Sequence, residues 1–141
     1  MTQVFFYHGA ADKLAAAGAL LGKAAAQKKP VLVYAPEAGQ AGELDRLLWT
    51  QNALAFIPHC RADSPLAPET PILICERMDT APTVERLMNL GAETPPDFDR
   101  FASLIEVVGA DENDRAAGRQ RARLYKEQGH EVQFIDLSER A

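Results

Sequence analysis

The sequence predicts an α/β fold: a three-layer α/β/α domain with a parallel or mainly parallel central sheet, Rossmann-like but without a nucleotide site. Short apolar, β-branched runs such as Val31–Tyr34 and Ile72–Cys75 are typical of strands covered on both faces. Patterns of helical length, as at Ala15–Ala26, separate such runs, and this alternation favours parallel pairing through right-handed crossovers. Because 141 residues with 47% hydrophobic content suit one ordinary domain, we expect a single domain over residues 1–141.

Three helices are predicted, each from a different local signal. Ala15–Ala26 is rich in alanine, with Asp12 as its expected N-cap and Pro30 as its stop. In Glu37–Trp49 the leucines recur at helical spacing beside charged residues. Asp111–Gln128 begins with acidic residues, which complement the helix dipole, and stops before a glycine.

The predicted strands are short apolar or alternating runs bounded by polar, glycine or proline residues. Their bounds are Val4–Tyr7, Val31–Tyr34, Ile72–Cys75, Val84–Leu90, Leu104–Val108 and Val132–Leu137. The proline-rich segment Asp63–Pro71 is expected to be a loop, and Asp97–Phe101 a single turn of helix.

The sequence contains no recognised motif for catalysis or for a cofactor. Gly18–Ala24 differs from a phosphate-binding loop, because three residues instead of four separate its glycines and no Ser or Thr follows its lysine. No serine lies in a G-x-S-x-G elbow, and Cys60 and Cys75 lack metal-ligand spacing. His8 follows the first predicted strand, where α/β enzymes place ligands, but an ordinary loop histidine is the favoured interpretation. We therefore expect no enzyme activity, metal or cofactor.

The expected location is the cytoplasm. No signal peptide is recognised, and both cysteines are expected to be reduced. The longest apolar stretch is interrupted by glycine and lysine and is too short to span a membrane, so no membrane partner is expected.

Although the chain has a net charge of −5, one of its segments is basic. Residues 115–126 hold five basic and no acidic side chains, whereas the rest of the chain has twice as many acidic as basic residues. On a helical wheel Arg121 points elsewhere, and Ala117 and Leu124 are expected on the buried face. The other four basic residues fall within about 80° of one another and are called the basic stripe: Arg115, Arg119, Arg123 and Lys126.

The basic stripe is either a solvated face or a site for an anion. No Asp or Glu within the segment lies four residues from a member of the stripe, so the repulsion among its cations is not relieved there. Guanidinium groups bind phosphates and carboxylates alike. Because the rest of the surface is acidic and would repel DNA, a carboxylate-rich peptide is the favoured ligand.

Several segments taken together resemble the chi subunit family of bacterial DNA polymerase III holoenzyme, accessory proteins of the clamp loader. They occur in the family's order and span nearly the whole chain: Val4–Tyr7, Leu47–Trp49 followed by Phe56–His59, Phe101–Val108, and the pattern Arg119-x5-Tyr125-x3-Gly129.

The resemblance implies an α/β protein without catalytic activity that joins two partners. One is the acidic C-terminal tail of single-stranded-DNA-binding protein. The other is the psi subunit, or an equivalent clamp-loader or helicase partner, so that DNA is met only indirectly. With Tyr125 and Gly129 as anchors, the family's tail-binding cations fall on three members of the basic stripe: Arg115, Arg119 and Arg123.

Two candidate sites follow from the resemblance together with the basic stripe. The candidate psi-binding residues are Trp49 and Phe56, and Ala122 stands where some relatives carry an aromatic residue. The candidate tail-binding residues are Arg115, Arg119, Arg123, Lys126, Tyr125, Val107 and Val108. Two other functions stay open: direct binding of single-stranded nucleic acid by the basic stripe, and a degenerate nucleotide-dependent enzyme acting near His8.

Overall fold

In the computed structural model the chain forms one central sheet in which every strand pairing is parallel. The structure describes residues 2–50, 58–79 and 81–138. The strands are β1 (Gln3–Ala10), β2 (Val31–Tyr34), β3 (His59–Arg61), β4 (Ile72–Cys75), β5 (Arg86–Asn89), β6 (Ser103–Gly109) and β7 (Glu131–Asp136). The helices are α1 (Lys13–Ala26), α2 (Gln40–Thr50) and α3 (Glu112–Glu127), with short 3₁₀ turns at Ala67–Glu69 and Phe98–Arg100. The seven strands lie in the order β3-β4-β2-β5-β6-β1-β7.

Helices cover both faces of the sheet. α1 and α2 pack on one face, where Leu21 and Leu44 are buried with Val33 of β2. α3 and the 3₁₀ turns cover the other face, where Phe98 and Tyr125 are buried. This arrangement confirms the predicted three-layer α/β/α fold with a parallel sheet. None of the helices in the described ranges is long and apolar enough to cross a membrane.

Local sequence signals set both ends of α1. The Asp12 carboxylate accepts a hydrogen bond from the backbone N–H of Ala15 at 3.1 Å, which confirms the expected N-cap. The helix ends at Ala26, and Lys28 takes a left-handed conformation (φ 58°) before Pro30.

Some element boundaries differ from the predicted ones. β1 continues to Ala10, so His8 lies within the strand rather than after it. β3 was not predicted, because three residues are too few to show a period and its pairing with β4 stabilises it. α2 begins at Gln40, later than expected, after Gly39 turns the chain with φ 80°.

α3 presents to the sheet a different face from the expected one. Its buried residues recur at helical spacing: Gly118, Arg121, Ala122 and Tyr125. The expected Leu124 is instead 37% exposed, and Ala117 is partly exposed. The expectation was wrong because it placed the buried face by apolarity alone. β6 carries the buried carboxylate of Glu106, and Arg121 and Tyr125 turn inward to bind it.

Glu106 is the centre of a buried polar network between β6 and α3. Its carboxylate accepts hydrogen bonds from the Arg121 guanidinium, from the Asn89 amide at 3.0 Å, and from the Tyr125 hydroxyl at 2.5 Å. Burial raises the pKa of Glu106, and the neighbouring Arg121 charge opposes that rise. Burial and the Glu106 carboxylate also raise the pKa of Tyr125, so its hydroxyl stays a neutral donor. The network fixes the rotation of α3 about its own axis.

Candidate binding site between the third helix and the sheet

A pocket of about 510 Å³ lies where α3 passes over the carboxyl ends of β1, β6 and β7. The carboxyl ends of parallel strands are where α/β folds usually place ligands. Residues of both strands and helix line the pocket: His8, Gly9, Val108, Ala110, Arg115, Gly118, Arg119, Phe134, Asp136 and Ser138. It therefore combines a cationic rim with an apolar interior.

All four members of the basic stripe are exposed on α3. Arg115 and Arg119 line the pocket, with side chains 55% and 60% exposed. Arg123 and Lys126 lie further along the helix and do not line it. The Lys126 ammonium lies 4.9 Å from the centre of the Phe134 ring, a cation–π contact beside the pocket.

One acidic residue reaches the basic stripe, which the sequence did not indicate. Glu112, in the first turn of α3, forms ion pairs with Arg119 (Oε1 to Nη2, 3.2 Å) and with Arg115 (Oε2 to Nη1, 3.6 Å). These pairs were not predicted because only acidic residues within residues 115–126 and at a spacing of four were considered, whereas Glu112 precedes that segment and lies three and seven residues from the two arginines. Arg123 has no ion pair within the part of the chain that the structure describes.

Phe134 forms the aromatic wall of the pocket, and sequence reasoning did not single it out. It lies on β7, is 52% exposed, and stacks on the buried Phe6 of β1. The ring of His8 meets it edge-on, with centroids 6.3 Å apart. The available signal was that Phe134 lies two residues after Val132, on the same strand face. Its exposure follows from the place of β7 at the end of the strand order.

The structure brings some of the predicted apolar site residues to the pocket and not others. Val108 lines it. Val107 points to the opposite face of β6 and is buried against α1 and α2, because successive side chains of a strand alternate between faces. Tyr125 is fully buried in the Glu106 network and does not line the pocket, and Ala122 is buried beside it.

His8 has a carboxylate neighbour that the sequence did not reveal. Its register partner on β7 is Asp136, and both residues line the pocket. Hydrogen bonds from the hydroxyl and N–H of Ser138 lower the pKa of Asp136, and the nearby His8 contributes in the same direction. The two side chains form the polar end of the pocket.

Of the two candidate psi-binding residues, the structure describes Trp49, and Phe56 lies outside the described residues. Trp49 is near the end of α2 and is 58% exposed. Its ring packs edge-on against His59 of β3 at 5.0 Å, and His59 lies 3.2 Å from the Asp45 carboxylate. An exposed tryptophan held in one orientation by such a contact is typical of a binding surface.

The pocket places guanidinium groups beside an apolar wall. Guanidinium groups are chemically suited to carboxylates and phosphates, and Phe134 and Val108 line the pocket next to them. Within the described ranges, no group of three or more His, Cys, Asp or Glu side chains is arranged to hold a metal ion.

The fold and the site define a Rossmann-like α/β protein whose cationic helix borders a partly apolar pocket. The family model described as DNA polymerase III chi subunit, HolC, matches residues 1–133. DNA polymerase III subunit chi of Pseudomonas aeruginosa is 33% identical over 137 residues, which cover 94% of this chain and 95% of that protein. The chain belongs to the DNA polymerase III chi subunit family, which confirms the resemblance drawn from its sequence motifs.

Proposed function

We propose that this chain is a non-catalytic accessory subunit of the bacterial replicative DNA polymerase III holoenzyme that binds the acidic C-terminal tail of single-stranded-DNA-binding protein. Through a second surface it binds the psi subunit, or an equivalent clamp-loader or helicase partner, and thereby links the tail to the clamp loader. In this proposal the protein contacts DNA only through its partner proteins. Membership of the chi family supports a role within the polymerase assembly.

The observation that carries the tail site is the position of two exposed arginines at the mouth of an apolar pocket. Arg115 and Arg119 extend into solvent, and Phe134 and Val108 form apolar surface beside them. A peptide that ends in acidic residues, an aromatic side chain and a terminal carboxylate is complementary to both features.

The charge of the rest of the molecule supports a peptide rather than nucleic acid. The chain carries a net charge of −5, and Glu112, Asp114 and Asp136 lie on α3 or at the pocket. A long phosphate backbone would extend past the pocket over this acidic surface and be repelled by it, whereas a short peptide tail is confined to the basic stripe and the pocket beside it.

One observation favours a second candidate function. Phe134 is exposed beside Lys126, and an aromatic ring among cations is a stacking platform for unpaired bases. Direct binding of single-stranded nucleic acid by the basic stripe is therefore the alternative to be tested.

Trp49 supports the second binding surface. It is a large, mostly exposed aromatic residue on α2, and aromatic anchors of this kind contribute strongly to protein interfaces. α2 covers the opposite face of the sheet from α3, so the two proposed surfaces do not share residues.

The test is a fluorescence-anisotropy titration of a labelled acidic peptide with a terminal aromatic residue, and separately of labelled oligothymidine. We expect the peptide to bind with roughly micromolar affinity that weakens as salt is added. Arg119→Ala should weaken binding at least about fivefold, because a charge-assisted hydrogen bond is lost. Arg46→Ala on α2 removes the same charge away from the pocket and should leave binding nearly unchanged.

Two results would contradict the proposal. Preferential binding of oligothymidine would support the alternative function. Peptide binding that is equally insensitive to Arg119→Ala and to Arg46→Ala would move the tail site away from the pocket.

A further inference from the structure

The two arginines at the mouth of the pocket share one carboxylate of their own chain. The oxygens of Glu112 lie 3.2 Å from Arg119 and 3.6 Å from Arg115, so a single carboxylate spans both guanidinium groups. The Glu112 side chain is 72% exposed and projects from the first turn of α3. Its carboxylate therefore lies at the rim of the pocket that the two arginines line.

The other acidic residues at the start of α3 make hydrogen bonds or ion pairs that stabilise the fold. Asp111 is the N-cap and accepts a hydrogen bond from the N–H of Asp114 at 3.2 Å. Asp114 accepts from the N–H of Gly109 at 2.8 Å and forms an ion pair with Lys13 at 3.1 Å. Glu112 differs, since within the described residues its side chain binds Arg115 and Arg119 alone.

We infer that Glu112 is an internal ligand of the proposed tail site, and that an acidic peptide binds by placing its own carboxylate where that of Glu112 now lies. This inference rests on the proposed function. The Glu112 carboxylate marks the subsite, because it already makes the guanidinium–carboxylate contacts that a peptide would make. Exposed ion pairs of this kind are weak, so the exchange of one carboxylate for another is readily reversible.

Competition by Glu112 makes the site selective among anions. A small anion that replaces Glu112 exchanges one carboxylate contact for a similar one and gains little. A peptide gains more, since it also places an apolar side chain against Phe134 and further carboxylates near Arg123, which has no ion pair in the part of the chain that the structure describes. Glu112 thus lowers the affinity for every anion while leaving the extended peptide as the ligand able to displace it.

The experiment compares peptide affinity for wild type, Glu112→Gln and Glu43→Gln in the anisotropy titration. Glu43→Gln changes the net charge by the same amount at an exposed position of α2, on the opposite face of the sheet from the pocket. We expect Glu112→Gln to bind the peptide about two- to fivefold more tightly than Glu43→Gln does. The gain should disappear when Glu112→Gln is combined with Arg119→Ala and Arg115→Ala, since the subsite is then absent. Thermal unfolding confirms that each variant is folded.

The outcomes separate the two proposals. If wild type does not bind the peptide, or binds it independently of Arg119, the proposed function fails and the inference fails with it. If wild type binds through Arg119 but the affinity of Glu112→Gln only equals that of Glu43→Gln, Glu112 acts through net charge and the inference alone is overturned. Weaker binding by Glu112→Gln would also overturn it, because Glu112 would then orient the arginines instead of competing for them.

Discussion

Phe134 stacks on Phe6, its register partner on the neighbouring strand, with ring centroids 5.6 Å apart and planes inclined by 27°. Phe6 is 2% exposed, whereas Phe134 is 52% exposed, so one ring belongs to the core and the other rests upon it. The exposed ring therefore lies against Phe6 at the pocket, where it offers apolar surface to a ligand.

Phe134→Ala should weaken binding of the acidic peptide by about fivefold or more, because the apolar wall of the pocket is lost. Stability should fall by less than about 2 kcal/mol, since half of the ring is already in solvent. Isothermal titration with the peptide and urea unfolding measure the two effects. Leu66→Ala, which truncates another exposed apolar residue away from the pocket, is the control and should not change the affinity.

Arg121→Met should destabilise the protein by about 3–5 kcal/mol, because the fully buried Glu106 carboxylate would lose its paired charge. The guanidinium lies 3.0 Å and 3.2 Å from the two carboxylate oxygens and also donates to the carbonyl oxygen of Ala92 at 2.7 Å. Urea unfolding monitored by circular dichroism gives the free energy.

The double variant Arg121→Met with Glu106→Gln provides the matched test of that prediction. It removes both charges, so it should recover part of the lost stability. A double variant as unstable as the sum of its parts would mean that the two residues contribute independently.

The two cysteines should differ in reactivity at pH 8. Burial raises the pKa of the Cys75 thiol to about 12, and the positive charge of Arg100 opposes the rise only in part. Cys60 is partly exposed. Iodoacetamide should therefore alkylate Cys60 in the native protein and spare Cys75, which peptide mass spectrometry measures directly. Equal modification of both thiols would contradict the buried position of Cys75.

The same thiol makes stability depend on alkaline pH. The folded pKa lies above the ordinary value of 9.0, so the contribution of Cys75 is fully present below pH 9 and is lost as pH rises from there towards 12. Urea unfolding at pH 8 and at about pH 10.5 should show a larger loss for wild type than for Cys75→Ala. An identical loss in the two proteins would assign the alkaline effect to other groups.

Trp49→Ala should abolish or weaken by at least about tenfold the binding of a psi subunit from the same genome, because a large aromatic anchor is removed. The side chain is 58% exposed, so the variant should remain folded. Phe134→Ala, which removes an exposed aromatic residue on the opposite face of the sheet, is the control and should leave psi binding unchanged. Unchanged affinity of Trp49→Ala in a titration of purified psi would exclude this surface as the psi site.

The fold was largely predictable because its elements carry strong local signals. The apolar runs of β2 and β4 and the capping of α1 by Asp12 depend on residues that are adjacent in sequence. β3 was missed because it exists through pairing with β4, and that pairing is set by tertiary structure rather than by the three residues of the strand.

The site was predictable in part. The helical period alone placed the four exposed cations of α3 on one stripe. It could not show that Arg121 turns inward, since that depends on Glu106 fifteen residues earlier on another strand. Nor could it show that Phe134 and His8 complete the pocket, because parallel pairing of β1 with β7 brings together residues from the two ends of the chain.

The order of the strands has a consequence for how two partners would bind. Trp49 packs against β3, the first strand of the sheet, and Phe134 of the pocket lies on β7, the last. Six inter-strand spacings separate these two strands, roughly 29 Å in the hydrogen-bonding direction. Because the two surfaces share no residues and lie this far apart, occupancy of one should leave the free energy of binding at the other unchanged. The protein would then hold its two partners simultaneously and at a defined separation.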